Sequence, residues 1–215
     1  MKNLVYYNLK LIGNLNTAIA GAFLIILTLM MNMKFLTYRE AAVIGETYVS
    51  IIGIILFPYL CTIEYNNNIK ETIFTKKTTF MNIVLLRIII MVFFTILCIA
   101  TVTAIEIYNE SSFNVVEIIS GTFITTFFLG MIGITVSNIF ENDILGYMVA
   151  FMYYFFELFD GGKHTKDFYL FSLTRGSFSY GKHYILLISI ILLIINLRVI
   201  YKKKLGLKLS LIVNS

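Results

Sequence analysis

Nucleophiles and histidines are the residues most able to supply chemistry, and few of them stand in a useful pattern here. Cys61 and Cys98 lie inside apolar runs with no histidine near either, which argues against a membrane cysteine peptidase. The segment Gly176-Ser177-Phe178-Ser179 partly matches an intramembrane serine protease motif, but it falls in a predicted polar loop. His164 and His183 flank that loop and are interpreted as solvated side chains. We therefore predict neither catalytic residues nor a metal site in this chain.

A nucleotide-binding loop is also missing from the sequence. Gly162-Lys163 is followed by His164 where the phosphate-binding motif needs Ser or Thr, and Glu157 stands where that motif needs its first glycine. The chain is therefore not expected to hydrolyse ATP by itself.

Ionisable residues are scarce in the middle of the apolar runs. Glu46 and Glu157 lie near one end of their runs, and Arg87 lies near the other end of its own. A proton- or ion-coupled carrier usually keeps ionisable groups near the membrane midplane. This distribution argues against a transporter that powers itself.

The elements that position these residues are long apolar helices. Hydrophobic residues make up 59% of the 215 residues and charged residues only 13%, about half the share of a soluble domain. The mean hydropathy is +0.86. With one proline and no linker, we predict a single transmembrane domain over residues 1–215, all-α and polytopic. About six spans are expected, near residues 17–33, 42–63, 83–105, 118–139, 144–159 and 184–201.

The positive charges are divided unequally between the two sides of the predicted bundle. With the N-terminus inside, the cytoplasmic segments carry Lys2, Lys10, Lys70, Lys76, Lys77, Arg87, Arg198, Lys202, Lys203, Lys204 and Lys208. The outer segments carry Lys34, Arg39, Lys163, Lys166, Arg175 and Lys182. The positive-inside rule therefore predicts a multi-pass protein of the cytoplasmic membrane with both termini in the cytoplasm. Because the charge is scattered over short loops, nucleic acid is not an expected partner.

Two predicted spans carry a stripe of small and polar residues at helical spacing. The fourth span contains Thr122, Thr126, Gly130, Gly133 and Ser137, and the first contains Thr17, Gly21, Thr28 and Asn32. Such a face lets helices approach closely and supplies hydroxyl groups for bonds between helices. Two interpretations remain open, namely helix packing inside the subunit and the lining of a polar translocation path.

The connection between the second and third predicted spans is polar, basic and predicted to be cytoplasmic. It covers residues 64–82, and the chain then enters the third span through Arg87. A short helical centre would place three apolar side chains on one face: Ile69, Ile73 and Phe74. This connection resembles the first cytoplasmic loop of type-2 ABC exporter permeases. There a glutamate ends the second span, a short coupling helix follows, and a basic residue starts the third span.

The resemblance extends to the six-span plan and to a re-entrant-looking outer segment between Leu158 and Lys182. It implies a short cytoplasmic coupling helix that contacts an ATPase through Glu64, Ile69, Lys70, Ile73, Phe74, Lys76, Lys77 and Arg87. It also implies that ATP and Mg bind a partner ABC ATPase subunit, and that the permease pairs with a second copy or a sister permease. The sequence departs from the family pattern at Lys76-Lys77, where a Pro-x-Ser-Arg turn is common.

The small size, the short outer loops and the abundance of Ile, Asn and Lys resemble permeases of low-GC Gram-positive bacteria. Those permeases export amphipathic antimicrobial peptides or give immunity to them, so a permease moving an amphipathic or lipid-like substrate is the expected function. A membrane-embedded peptidase and a stand-alone immunity protein without ATP coupling remain as alternatives. Membrane lipid is expected around the whole chain.

Overall fold

A computed structural model describes residues 8, 12, 13, 15–63, 80–176 and 178–213, without the side chains of residues 80 and 203–213. We number its main helices α1 (Leu15–Met30), α2 (Tyr38–Cys61), α3 (Phe80–Tyr108), α4 (Val115–Phe140), α5 (Asp143–Asp160) and α6 (Gly181–Val213). Two short 3-10 helices, Lys166–Phe168 and Ser172–Arg175, lie between α5 and α6. No strand occurs in these ranges, which confirms the predicted all-α class.

Four of the helices are long and apolar enough to cross a membrane. They are α2, Met81–Tyr108 of α3, α4, and Gly181–Lys202 of α6. In lipid every backbone polar group must be bonded within the protein, so such runs form helices. The chain is therefore a helical membrane protein. Because α1 has only 16 residues and α5 carries three acidic residues among its 18, the count of six spans stays a prediction.

Helix α4 lies at the centre of the bundle. It packs against α2, α3, α5 and α6, whereas α1 packs against α2 and α3. Leu129 and Met131 of α4 are fully buried. The small side chains along α4 allow this many neighbours to reach one helix.

Helix α2 is irregular, although its sequence reads as one continuous apolar run. It consists of an α-helical turn (Tyr38–Ala42), a π-helical stretch (Val43–Val49), a second α-helical part (Ile51–Leu56) and a 3-10 turn (Pro58–Cys61). Proline has no N–H to donate, which is why the α-helical part ends just before Pro58. The π-helical stretch contains the buried residue Glu46.

Helices α4 and α5 form a tight hairpin. Glu141 takes a left-handed conformation (φ 54°) at the end of α4, and the Asn142 side chain accepts a hydrogen bond of 2.9 Å from the Ile144 N–H. Gly161, also left-handed (φ 58°), ends α5. Both ends follow the usual rules for helix capping.

Most of the irregular structure among the described residues lies at one end of the bundle, and we call it the distal end. It consists of the connections at residues 32–37 and 109–114 and of residues 161–176 with 178–180, which we call the distal segment. The first two connections bind each other, since Phe35 N–H donates to the Asn109 carbonyl (3.1 Å). The distal segment places Leu170, Phe171 and Leu173 in the protein interior. Its packing into the bundle creates the polar environment described next.

Candidate functional site

Most residues predicted to contact an ATPase lie outside the described part of the chain. Residues 64–79 contain Glu64, Ile69, Lys70, Ile73, Phe74, Lys76 and Lys77. Their role therefore stays a prediction. The described part of the chain ends at Ile63 before this segment and begins again at Phe80, the first residue of α3.

Arg87, the remaining predicted coupling residue, is buried with 2% of its surface exposed. Its Nε donates to Asn8 Oδ1 (2.8 Å) and its Nη1 donates to the Leu60 carbonyl oxygen (3.3 Å). It thereby joins the N-terminal segment, the end of α2 and the beginning of α3. We call these contacts the Arg87 junction.

The stripe on α4 lies at the interfaces of α4 with α2 and α5. A Cβ atom on Gly130 would lie 2.6 Å from Phe57 Cδ2, and one on Gly133 would lie 2.7 Å from Pro58 Cγ. The remaining stripe residues are buried as well: Thr122, Thr126 and Ser137. Within the subunit this face is filled by neighbouring helices.

The stripe on α1 has a different environment. A Cβ atom on Gly21 would meet nothing within 4 Å. Thr17 and Thr28 are half-buried, and Asn32 is exposed. A neighbouring residue, Asn16, donates to the Tyr147 hydroxyl of α5 (2.9 Å). The α1 stripe therefore leaves room for a further helix, a substrate or lipid.

The structure also contains a buried ion pair that the sequence analysis did not identify. Lys182, which was counted only as an outer charge, contacts the carboxylate of Glu46, and both side chains are completely buried. Lys182 Nζ also donates to Thr125 Oγ1 and to the Leu170 carbonyl oxygen, each at 2.6 Å. The second oxygen of Glu46 accepts from the Leu173 N–H (2.9 Å). The pair therefore joins α2, α4, α6 and the distal segment.

A second buried carboxylate holds the same segment from the other side. Glu157 of α5 accepts hydrogen bonds from the Leu170 N–H and the Thr165 hydroxyl, both at 3.2 Å, and from the Tyr153 hydroxyl at 3.0 Å. Burying a charge in an apolar interior is costly unless it is paired and hydrogen-bonded. The signal available in the sequence was that Glu46 and Glu157 each lie within an apolar run, since an ionisable residue in a span usually finds a partner inside the bundle.

The distal segment borders a cleft of about 620 Å³, which we call the distal cleft. It is lined by Lys166, Asp167, Ser172, Arg175, Phe178, Ser179, Tyr180, Gly181 and Tyr184. The hydroxyl oxygens of Ser172 and Ser179 are buried and have no hydrogen-bond partner in the described part of the chain. Arg175 is held by the Gly161 carbonyl oxygen (2.8 Å) and lies 4.6 Å from the centre of the Tyr169 ring.

The candidate nucleophiles do not form a catalytic group among the described residues. Cys61 and Cys98 are buried in the core. His164 and His183 are exposed, while Ser177 lies outside the described residues. No group of three metal-ligating side chains occurs in the described ranges.

His164 offers a local test of the structure near the end of α5. Its Nδ1 contacts the Asp160 carboxylate, and this hydrogen bond raises the pKa of His164 and lowers the pKa of Asp160. The stabilisation is present between the lowered pKa of Asp160 and the raised pKa of His164, and it is lost as the pH falls through the first or rises through the second. In a His183→Gln background, the NMR titration of His164 should have a midpoint above its ordinary value, and Asp160→Asn should lower it. A midpoint that ignores Asp160→Asn would contradict this contact.

No family model matches this chain, and no curated protein or solved structure matches it either. The contacts described above and the resemblance of residues 64–87 are therefore the basis for a functional assignment.

Proposed function

We propose that this chain is the transmembrane permease subunit of an ATP-driven ABC exporter. It would move an amphipathic or lipid-like substrate across the cytoplasmic membrane, and the resemblance favours an antimicrobial or toxic peptide as cargo. ATP hydrolysis would take place on separate ATPase subunits, with the permease paired to a second copy or to a sister permease. In this arrangement α1 and α5 complete a set of six spans, both termini and residues 64–79 face the cytoplasm, and the distal end faces outward.

The observation that carries this proposal is the Arg87 junction. Residues 64–79 stand between Ile63, two positions after the end of α2, and Phe80, the first residue of α3, and Arg87 binds α2 at Leu60. It also binds the N-terminal segment at Asn8. A force on the loop would therefore act on α2, α3 and the N-terminal segment together. ATP-driven closure of the ATPases could then shift several helices through one small contact.

The buried charged residues Glu46, Lys182 and Glu157 are bonded to other groups of the protein. This supports a cargo that is not held by charged groups inside the bundle. Glu46 and Lys182 satisfy each other, and Glu157 is bonded to the distal segment. Their polar atoms are occupied by the protein itself. The stripe on α1 is polar and has open space beside it, since a Cβ atom added at Gly21 would meet nothing within 4 Å. That face suits contact with an amphipathic substrate or with a second permease.

The packed distal segment supports the same plan. Its two 3-10 helices enter the end of the bundle and bury Leu170, Phe171 and Leu173. A re-entrant outer segment before the last span is what the family resemblance implies. An enclosed distal end would keep the path closed on the outer side until the helices move.

The test of this proposal is co-purification with an ABC ATPase, which we expect to be encoded beside the permease. Ile73→Asp should weaken retention of the ATPase about tenfold or more, because burying one large apolar side chain gives roughly 1.5–3 kcal/mol. Thr72→Asp is the matched control, since it adds the same charge at an already polar position and should leave retention nearly unchanged.

A second variant separates binding from coupling. Glu64→Gln should impair transport while the ATPase stays bound, because Glu64 is proposed to hold the angle of the loop. The proposal fails if the Ile73→Asp protein inserts normally and keeps its ATPase at wild-type strength. It also fails if no ATPase is retained by the wild-type chain.

A further inference from the structure

The distal cleft combines features of an anion site. Lys166 and Arg175 supply two positive charges to its lining. Ser172, which is 6% exposed, and Ser179 contribute buried hydroxyl oxygens that have no partner within the described residues. Buried hydroxyl groups normally find a hydrogen-bond partner, so an unpartnered pair in a cleft indicates a ligand that supplies one. A volume of about 620 Å³ is in the range of small-molecule sites.

The beginning of α6 adds to the positive potential in this cleft. Gly181, the first residue of the helix, and Tyr184, in its first turn, both line it. The N-terminal end of a helix carries a partial positive charge and favours anions. Helix α6 runs away from the cleft for 33 residues, so this contribution comes from a long helix.

The position of the cleft places it at the membrane surface. The apolar span Gly181–Lys202 begins at its wall. Phe168, Tyr180 and Tyr184 are exposed around it, and the rings of Phe168 and Tyr184 lie 5.8 Å apart. Exposed aromatic side chains at the end of a span are typical of the depth at which lipid headgroups lie. A ligand in the cleft would therefore have its anionic group at headgroup depth and its apolar part in the bilayer.

We propose that the distal cleft binds the phosphate group of an anionic phospholipid. Lys166 and Arg175 would pair with the phosphate, and the hydroxyl groups of Ser172 and Ser179 would donate to its oxygens. Asp167, the carboxylate in the lining, would repel phosphate but accept a hydrogen bond from a glycerol headgroup. The lining holds two cations and one carboxylate, so its net positive charge favours phosphatidylglycerol, which carries a net negative charge, over a zwitterionic lipid. The assignment does not depend on an ATPase partner.

The test uses the full-length protein, delipidated in a neutral detergent, with native mass spectrometry as the readout. Short-chain phosphatidylglycerol, short-chain phosphatidylcholine and inorganic phosphate are titrated separately. We expect phosphatidylglycerol to bind at least about tenfold more tightly than phosphatidylcholine, because only phosphatidylglycerol has a net negative charge to meet the net positive charge of the lining. Lys166→Gln and Ser172→Ala should each weaken its binding about tenfold.

Two controls separate this site from general charge and from misfolding. Lys163→Gln removes a charge from the same segment outside the cleft lining and should leave the affinity unchanged. Ser172→Ala should not lower the thermal stability of the lipid-free protein, because its hydroxyl has no partner there. Equal affinities in wild type, Lys166→Gln and Ser172→Ala would overturn the proposal, as would equal binding of the two lipids. Inorganic phosphate binding as tightly as the lipid would show a free-anion site and overturn the lipid assignment.

Discussion

Replacing Lys182 by methionine is expected to lower the free energy of unfolding by about 3–5 kcal/mol, because it leaves the Glu46 carboxylate buried without its cation. The same change removes the donor to Thr125 and to the Leu170 carbonyl oxygen. Methionine keeps most of the apolar volume of the lysine side chain, so the loss of stability would come from the missing charge and not from a cavity. Heating the purified protein, fused to a fluorescent reporter, and measuring the fraction that remains monodisperse would give the change in thermal midpoint.

A double variant shows whether the pair itself is responsible. Glu46→Gln combined with Lys182→Met removes both charges, and we expect it to recover much of the stability lost in Lys182→Met alone. The glutamine can still accept a hydrogen bond from the Leu173 N–H, which Glu46 does at 2.9 Å. Lys163→Met is the control, since that lysine is exposed in the same segment. Equal losses for Lys163→Met and Lys182→Met would show that the ion pair does not anchor the distal segment.

The second large effect is expected at Gly53, where α2 crosses α4. A Cβ atom there would overlap the Thr126 carbonyl oxygen and lie 2.9 Å from its carbon. Backbone atoms of a central helix cannot move aside cheaply, so Gly53→Ala should cost about 1–3 kcal/mol or more. The same thermal measurement in detergent would detect this loss as a lower midpoint.

Gly21→Ala is the matched control and should change stability in the opposite direction. Nothing lies within 4 Å of its added methyl group, and alanine favours a helix over glycine by up to about 1 kcal/mol. A gain in stability for Gly21→Ala together with a loss for Gly53→Ala would show that the loss comes from steric overlap between helices and not from helix propensity. Losses at both positions would contradict the open face on α1 in the isolated subunit. A loss at Gly21 that appears only in assembled complexes would place that face at a contact with another subunit.

The helical architecture could be predicted from sequence because lipid leaves a long apolar run few alternatives. In a bilayer, the run from Ile83 to Ile105 satisfies its backbone hydrogen bonds by forming a helix, and α3 covers that run. The irregular course of α2 could not be predicted in the same way. Its π-helical stretch depends on how Gly45 and Glu46 meet α4 and the distal segment, and a hydropathy pattern contains no such information.

The candidate site was less predictable for a related reason. Glu46 lies in one apolar run and Lys182 lies just before another, 136 positions along the chain, so the two can be paired only once the helices have been arranged. The Ser172 hydroxyl has no hydrogen-bond partner among the residues that the structure describes, and its burial likewise depends on where a short 3-10 helix packs. The coupling residues between Glu64 and Lys77 lie outside the described residues and stay a prediction.

Helix α6 has a length that matters beyond the bilayer. At 1.5 Å per residue its 33 residues extend about 50 Å, whereas a hydrocarbon core is about 30 Å thick. Past the span that ends at Lys202, residues 203–213 continue for about 16 Å of helix. On the side of the membrane that it reaches, this part of the helix limits how closely another protein can approach the bilayer. A protein that binds on that side must either leave room for residues 203–213 or contact them directly.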